Sequence, residues 1–165
     1  MDLAMRPEDV AFRDEVRAFL KENLTDDLKA HARLTPGILA DQDLRVEWLK
    51  RLHKRGWAAP SWPKQYGGHE RSFLERYVVT EEMRVANAPT RRFFIADRQS
   101  GPVLLKYGSE RIKREILPRI CRGEVCFAIG MSEPNSGSDL FAAKTRATKA
   151  DGGWRINGTK VWTTA

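Results

Sequence analysis

The sequence predicts an α+β fold, with an all-α domain over residues 1–120 and the first antiparallel strands of a β domain over 121–165. Two observations carry that prediction. Up to about residue 120, apolar residues recur three and four positions apart, the period of a helix with one buried face. Beyond it the chain breaks into short runs separated by Asp151-Gly152 and Asn157-Gly158, dipeptides that favour tight turns between strands.

Phe12, Val16, Phe19 and Leu20 stand at i, i+4, i+7 and i+8 and predict a helix from about Pro7 to Leu24. Pro7 suits its first turn, where a missing N–H costs nothing. Leu44, Trp48, Leu49 and Leu52 predict a second helix, opened by Asp41 and closed by Gly56. Leu74, Tyr77, Val78 and Val85 mark a third, ending before Asn87-Ala88-Pro89. A fourth is expected from about Phe93 to Tyr107, kinked or split at Ser100-Gly101-Pro102. Ser109 can cap a short fifth helix that stops near Leu117-Pro118. Short links between such helices imply a bundle, with Phe12, Val16, Phe19, Trp48, Leu52, Leu74 and Val78 in its core.

Between the second and third helices, Trp57 to Gly68 holds two prolines and a Gly-Gly pair, which forbid regular structure, and aromatics that demand burial. A packed connecting loop is the simpler expectation, a ligand-contacting loop the alternative. On the β side, Val125 to Met131 is an apolar strand candidate. Ala142 to Ala150, Trp154 to Asn157 and Lys160 to Thr164 follow as further strands. Three or four strands close neither a barrel nor a sandwich, so the chain is expected to be part of something longer.

Apolar residues make up 41% of the 165 and charged residues 31%, which excludes a disordered tail. No run of about 18 apolar residues occurs, so no membrane span is expected. The first eight residues lack the apolar core of a signal peptide. Cys121 and Cys126 have no zinc or redox spacing, which makes a reducing cytoplasm the default and a metal site unexpected. The net charge of +7 could signal nucleic acid, but most basic residues alternate with acids, as from Glu110 to Glu115, in the manner of solvated helix faces. Neither zinc-finger spacing nor an RNA-binding aromatic box is present, so nucleic acid is not an expected partner. The charge suits a phosphate-bearing ligand.

The stretch richest in chemistry is Ile129-Gly130-Met131-Ser132-Glu133-Pro134-Asn135-Ser136-Gly137-Ser138-Asp139. It follows an apolar run, and it crowds hydroxyls and turn-forming residues beside backbone N–H groups. Such a loop can present donors to a phosphate or to a heterocycle edge, although its composition alone also fits an ordinary turn.

These residues carry a resemblance. Met131-Ser132-Glu133-Pro134-x-x-Gly137-Ser138-Asp139 is similar to the signature of the acyl-CoA dehydrogenases, flavoenzymes that introduce a double bond between Cα and Cβ of acyl-CoA thioesters. Lys144-Thr145-x-Ala147 and Ile156-Asn157-Gly158-x-Lys160-x-Trp162-x-Thr164 follow in the family's order. Pro60 to Gly68, Tyr107-Gly108-Ser109 and Leu117 to Glu124 also resemble it, so the likeness runs through essentially the whole chain. Where the family often has Gly-Ala after the proline, Asn135-Ser136 stands here.

The resemblance implies an N-terminal helical domain followed by the incomplete start of a central β-barrel. The C-terminal bundle and its catalytic glutamate have no counterpart in these residues, so no catalytic residue is assigned. Glu133 is expected to hold the loop by accepting backbone N–H bonds. FAD is the implied cofactor. The backbones of Ile129 and Met131, with the backbone and hydroxyl of Ser132, match groups that bond the polar edge of the flavin ring. Ser138 matches a serine that meets a phosphate of FAD or of the CoA substrate. Trp162 matches the tryptophan packed on the ring, and Thr164 the threonine near N5. Trp162 and Thr164 are expected to share a strand face with Ser132, lining one groove. The implied partners are an acyl-CoA substrate, an electron-transferring flavoprotein, and further subunits in a homo- or hetero-oligomer, a dimer or a tetramer. An oxidase or flavin monooxygenase on the same scaffold, and a non-catalytic partner subunit, are the alternatives.

Overall fold

The structure, a computed structural model, describes residues 4–34, 42–89 and 95–163. The chain divides into two compact units, residues 1–127 and 128–165.

The first unit is helical. Helix α1 spans Pro7–Asn23, with Glu8 and Asp9 in its first turn and Lys21 in its last, charges that complement the helix dipole. It buries Phe12, Val16 and Leu20, the stripe expected from their spacing. Helix α2, Asp26–Leu34, has no counterpart in the expected elements. It is short, and Leu28 is too little to announce a period; the Thr25 Oγ1 accepts the Leu28 N–H at 3.4 Å at its start. Helix α3 spans Gln42–Lys54 and buries Trp48, Leu49 and Leu52; the proposed opening residue Asp41 lies outside the described residues.

Helix α4, Phe73–Val85, begins with a reciprocal cap in which Ser72 and Glu75 each accept the other's backbone N–H. The helix forms where expected, but its buried face differs. Val78, Val79, Glu82 and Met83 face inward, while Leu74, Tyr77 and Val85 are 38%, 56% and 77% exposed. Leu74 therefore leaves the expected core. The reason is electrostatic: Glu82 sits inside because the Arg17 Nε donates to its Oε2 at 2.9 Å, and an acid in the middle of the stripe disguises it. Around this face one cluster gathers Val16, Leu20, Trp48, Leu52, Trp57, Val78 and Val79, with the half-buried Phe19 ring 4.9 Å from that of Trp57.

The loop from Trp57 to Gly68 is packed, with Trp57, Ala58, Ala59, Trp62 and Tyr66 all buried. The Trp62 Nε1–H donates to the Asp97 carbonyl at 3.3 Å. Asp97 lies in a wide π-helical turn, Ala96–Ser100, which runs into α5, Gly101–Tyr107. The irregularity expected at Ser100-Gly101-Pro102 thus takes the form of a π turn; Phe93 and Phe94 lie outside the described residues. Helix α6, Glu110–Cys121, starts at Ser109, whose Oγ accepts the Ile112 N–H at 3.4 Å. It continues through Pro118, past the expected stop. Proline forfeits its own N–H bond and crowds the carbonyl four residues back, a cost offset by Leu117, Ile120 and Cys121, which anchor the last turn in a second cluster with Trp62 and Tyr66. Val125 and Phe127 pack against that cluster, and no strand forms over the described residues 125–131. Among the described residues no helix is long and apolar enough to cross a membrane.

The second unit holds one antiparallel hairpin, β1 (Arg146–Ala150) and β2 (Gly153–Asn157). Ala150 faces Gly153 across the two-residue turn Asp151-Gly152, in which Gly152 takes φ +75°. The expected strand from Ala142 is shorter, because Leu140–Ala142 forms a 3-10 turn. The expected strand over Lys160–Thr164 is absent from residues 160–163. One backbone bond, from the Val161 N–H to the Ser132 carbonyl at 2.9 Å, stands there in place of a ladder.

Candidate functional site

The signature loop folds back on itself between Glu133 and Ser136. Each donates its N–H to the other's carbonyl, at 2.8 and 3.1 Å, which encloses Pro134-Asn135 as a tight turn. The Ser136 hydroxyl donates to the Asp139 carbonyl at 2.7 Å and fixes the exit of the turn. Asn135-Ser136 therefore fills the turn without strain, and Ser136 is itself buried.

Glu133 ties this turn to the rest of the unit. Its Oε2 accepts the Lys144 N–H at 2.6 Å, and its Oε1 accepts the Thr145 N–H and the Lys160 ammonium, both at 2.9 Å. The carboxyl is held at about 2, by the Thr145 side chain first, then the Lys144 amide, the Lys160 ammonium and the Thr145 amide, against the opposing push of burial. The hydrogen bonds seen at the carboxylate are those of the two amides and the ammonium, and the buried Thr145 Oγ1 has no hydrogen-bond partner. A carboxylate so fully donated to is a poor proton acceptor and a strong anchor. Glycine at 158 makes room, because a Cβ there would run into the Thr145 side chain.

Lys160 completes the knot. Its Nζ also donates to the Met131 carbonyl at 3.0 Å, and its aliphatic stem lies over Gly130, where an added Cβ would approach to 3.2 Å. Three stretches far apart in sequence, 131–136, 144–145 and 160–161, thereby meet. In the sequence Lys160 is only a lone base in the third matched block, with nothing local to mark this role.

Of the expected flavin contacts, Ile129 and Ser132 are half-buried and Met131 is exposed. The Val161–Ser132 bond brings Trp162 within one residue of the loop. Trp162 is 87% exposed at φ +59°, a left-handed backbone conformation, so the strand geometry expected to align it with Ser132 is not formed. Ser138 is exposed and takes no part in the knot, and Thr164 lies outside the described residues. A hollow of about 180 Å³ beside Glu133, Thr145 and Gly158 is well below the 300 Å³ or so of a ligand pocket. Among the described residues no group of three His, Cys, Asp or Glu could hold a metal ion.

A helical unit with tryptophan-rich packing, followed by a carboxylate-knotted loop and a hairpin, defines an α+β protein whose distinctive feature is that loop. Comparison with known proteins assigns it. The acyl-CoA dehydrogenase N-terminal domain model matches residues 6–124. Acyl-CoA dehydrogenase FadE26 of Mycobacterium tuberculosis is 31% identical over 163 residues, 99% of this chain and 40% of the relative. Mitochondrial isovaleryl-CoA dehydrogenase of Bos taurus is 32% identical over 161 residues, 97% of this chain and 37% of the relative. Among solved structures, the ChsE4-ChsE5 complex from Mycobacterium tuberculosis superposes with a TM-score of 0.82 at 31% identity, covering 99% of this chain and 40% of that one. The Tcur3481-Tcur3483 steroid ACAD gives 0.83 at 35% identity, covering 99% and 41%. The chain belongs to the acyl-CoA dehydrogenase family. It spans about 40% of the length of these relatives.

Proposed function

We propose that these residues form the N-terminal portion of an FAD-dependent acyl-CoA dehydrogenase, acting in the cytoplasm on acyl-CoA thioesters and passing electrons to an electron-transferring flavoprotein. The observation that carries the reading is the knot at Glu133. It gathers three sequence blocks resembling the family's signature into one hydrogen-bonded knot. FAD would accept the hydride removed from the acyl β carbon. The chain's own share is to orient the ring: backbone at Ile129 and Met131 and the Ser132 hydroxyl toward its polar edge, the Trp162 indole as its apolar wall, Ser138 toward a phosphate of FAD or CoA, and Thr164 near N5. What supports such a group is an exposed indole one residue from the loop that bears the Ser132 hydroxyl. A solved acyl-CoA dehydrogenase from Bacillus anthracis, 26% identical, is titled as complexed with FAD, which supports the cofactor.

Proton abstraction is assigned to no residue of this chain, in keeping with the saturated state of Glu133. Assembly with further subunits is part of the proposal. Solved relatives titled as ChsE4-ChsE5 and Tcur3481-Tcur3483 support a hetero-oligomer over a homotetramer.

The test is FAD titration of the 165-residue chain, read by quenching of flavin fluorescence. Weak saturable quenching that Trp162→Ala removes supports the flavin site; absence of quenching, or quenching indifferent to that substitution, counts against it. Dye-coupled acyl-CoA oxidation is expected only from a polypeptide that also carries the family's catalytic bundle.

A further inference from the structure

A groove of about 430 Å³ runs along the outer face of α4, between that helix and the π turn, and no part of it belongs to the knotted loop. Its lining is unusual in charge. Arg76, Arg84 and Arg98 converge there, against Glu81 as the lining's one acid. Glu81 is further occupied, accepting the Tyr77 hydroxyl at 2.6 Å. The groove's other wall is apolar: Phe73 and Val85 are 78% and 77% exposed, and Tyr77 is 56% exposed.

The arginines are placed by the fold. Arg98 projects from the π turn, and its Nη2 donates to Thr80 Oγ1 at 2.8 Å, which holds the guanidinium against α4. Arg76 reaches the buried Asp97 through Nη2 at 3.4 Å, a long contact that leaves Arg76 Nε buried without a hydrogen-bond partner. Arg84 makes no ion pair among the described residues. The Arg98 guanidinium is held below its ordinary range by burial and by the like charges of Arg76 and Arg84, while Asp97 opposes. Burial pushes the Asp97 carboxyl up, while the charges of Arg76 and Arg98 oppose that push. A folded chain that gathers three guanidinium groups at one groove favours an anion there, and planar guanidinium suits a carboxylate in particular. The apolar wall favours an organic body over a bare inorganic ion.

We propose that the groove between α4 and the π turn binds a small amphipathic carboxylate, its head on Arg84 and Arg98 and its apolar body along Phe73, Tyr77 and Val85. This site does not depend on the flavin reading. It would stand if FAD failed to bind, and it could fail while FAD bound.

The test is calorimetric titration of the 165-residue chain at low ionic strength with sodium decanoate, with decanol and sodium acetate as probes lacking the charge or the body. Decanoate is expected to saturate one site per chain, with decanol and acetate each weaker by about tenfold or more. Arg98→Gln is expected to weaken decanoate by about tenfold, and Arg84→Gln by about three- to tenfold. Because Arg98 also braces Thr80, circular dichroism accompanies both variants; if Arg98→Gln unfolds, the exposed Arg84 decides. The proposal is overturned if decanoate shows no saturable binding, if decanol binds as well as decanoate, or if a folded Arg84→Gln chain binds as tightly as the parent.

Discussion

The Lys160 ammonium lies 2.9 Å from Glu133 Oε1 and, together with the Val161–Ser132 backbone bond, ties the signature loop to the segment carrying Trp162. Loss of the ion pair should be read locally. Glu133→Gln keeps the size but removes the charge that organises two amides and an ammonium, so the Lys144 and Thr145 amides should lose hydrogen-exchange protection. The pH dependence has a defined sign. The folded carboxyl sits at about 2 against an ordinary 4.5, so its stabilisation is present above 4.5 and is lost as pH falls from there through about 2. Protection of the Lys144 amide should therefore fall across that window in the parent, while the Gln variant stays flat. Equal protection in parent and variant would remove Glu133 as the anchor.

Leu52 and Leu74 both stood in the expected core, yet Leu52 is fully buried and Leu74 is 38% exposed. Leu52→Ala should cost about 2–5 kcal/mol by cavity formation, and Leu74→Ala about 0.5 kcal/mol or less. Urea unfolding of the two variants measures the difference. Equal losses would mean that Leu74 packs as the sequence suggested.

What was legible in the sequence follows from how locally each feature is encoded. Helix α1 announces itself because Phe12, Val16 and Leu20 repeat without interruption, and the Asp151-Gly152 hairpin because the turn chemistry is contained in two residues. The buried face of α4 was misread because Glu82 owes its burial to Arg17, sixty-five positions away, a pairing no local pattern contains. The expected strand is absent from residues 160–163 on the same ground, since a strand exists only through a partner ladder. At the site, the loop and its Glu133 anchor were readable from the matched motif. Lys160 was not, because its role lies in three-dimensional proximity to Met131 and Glu133.

His53 and His69 give the helical unit an acid sensitivity. Burial holds the His53 imidazole below its ordinary 6.5, aided by the charges of His69 and Arg122 and opposed by Glu124. Burial likewise lowers His69, with Arg71 and Lys64 adding to it. A base with a lowered folded value binds its proton more readily when unfolded, so stability falls as pH drops through 6.5 and keeps falling until the folded value is passed. Between about pH 7.5 and 5.5 the urea midpoint of the parent should decline. His53→Gln combined with His69→Gln should flatten that decline; an unchanged slope would assign it to other groups.

Gly101 meets the Trp62 indole edge-on, at the junction of the π turn and α5. A Cβ at position 101 would overlap the Trp62 ring and press on the Ala96 carbonyl at 2.6 Å. The backbone there is ordinary helix, with φ −62°, so the demand for glycine is one of space and not of conformation. Neither neighbour can yield easily. Trp62 is 3% exposed and its Nε1–H is spent on the Asp97 carbonyl, while Ala96 is 1% exposed. Helix propensity alone would make Gly101→Ala stabilising by about 1 kcal/mol, whereas overpacking costs about 1–3 kcal/mol and should win. Gly137→Ala is the control, because an added Cβ there meets nothing within 4 Å. The expected result is a lower thermal midpoint and an altered tryptophan emission for Gly101→Ala, with the Gly137 variant close to the parent. A stabilised Gly101→Ala chain would mean that the loop from Trp57 to Gly68 shifts freely, and that its packing does not hold the π turn in place.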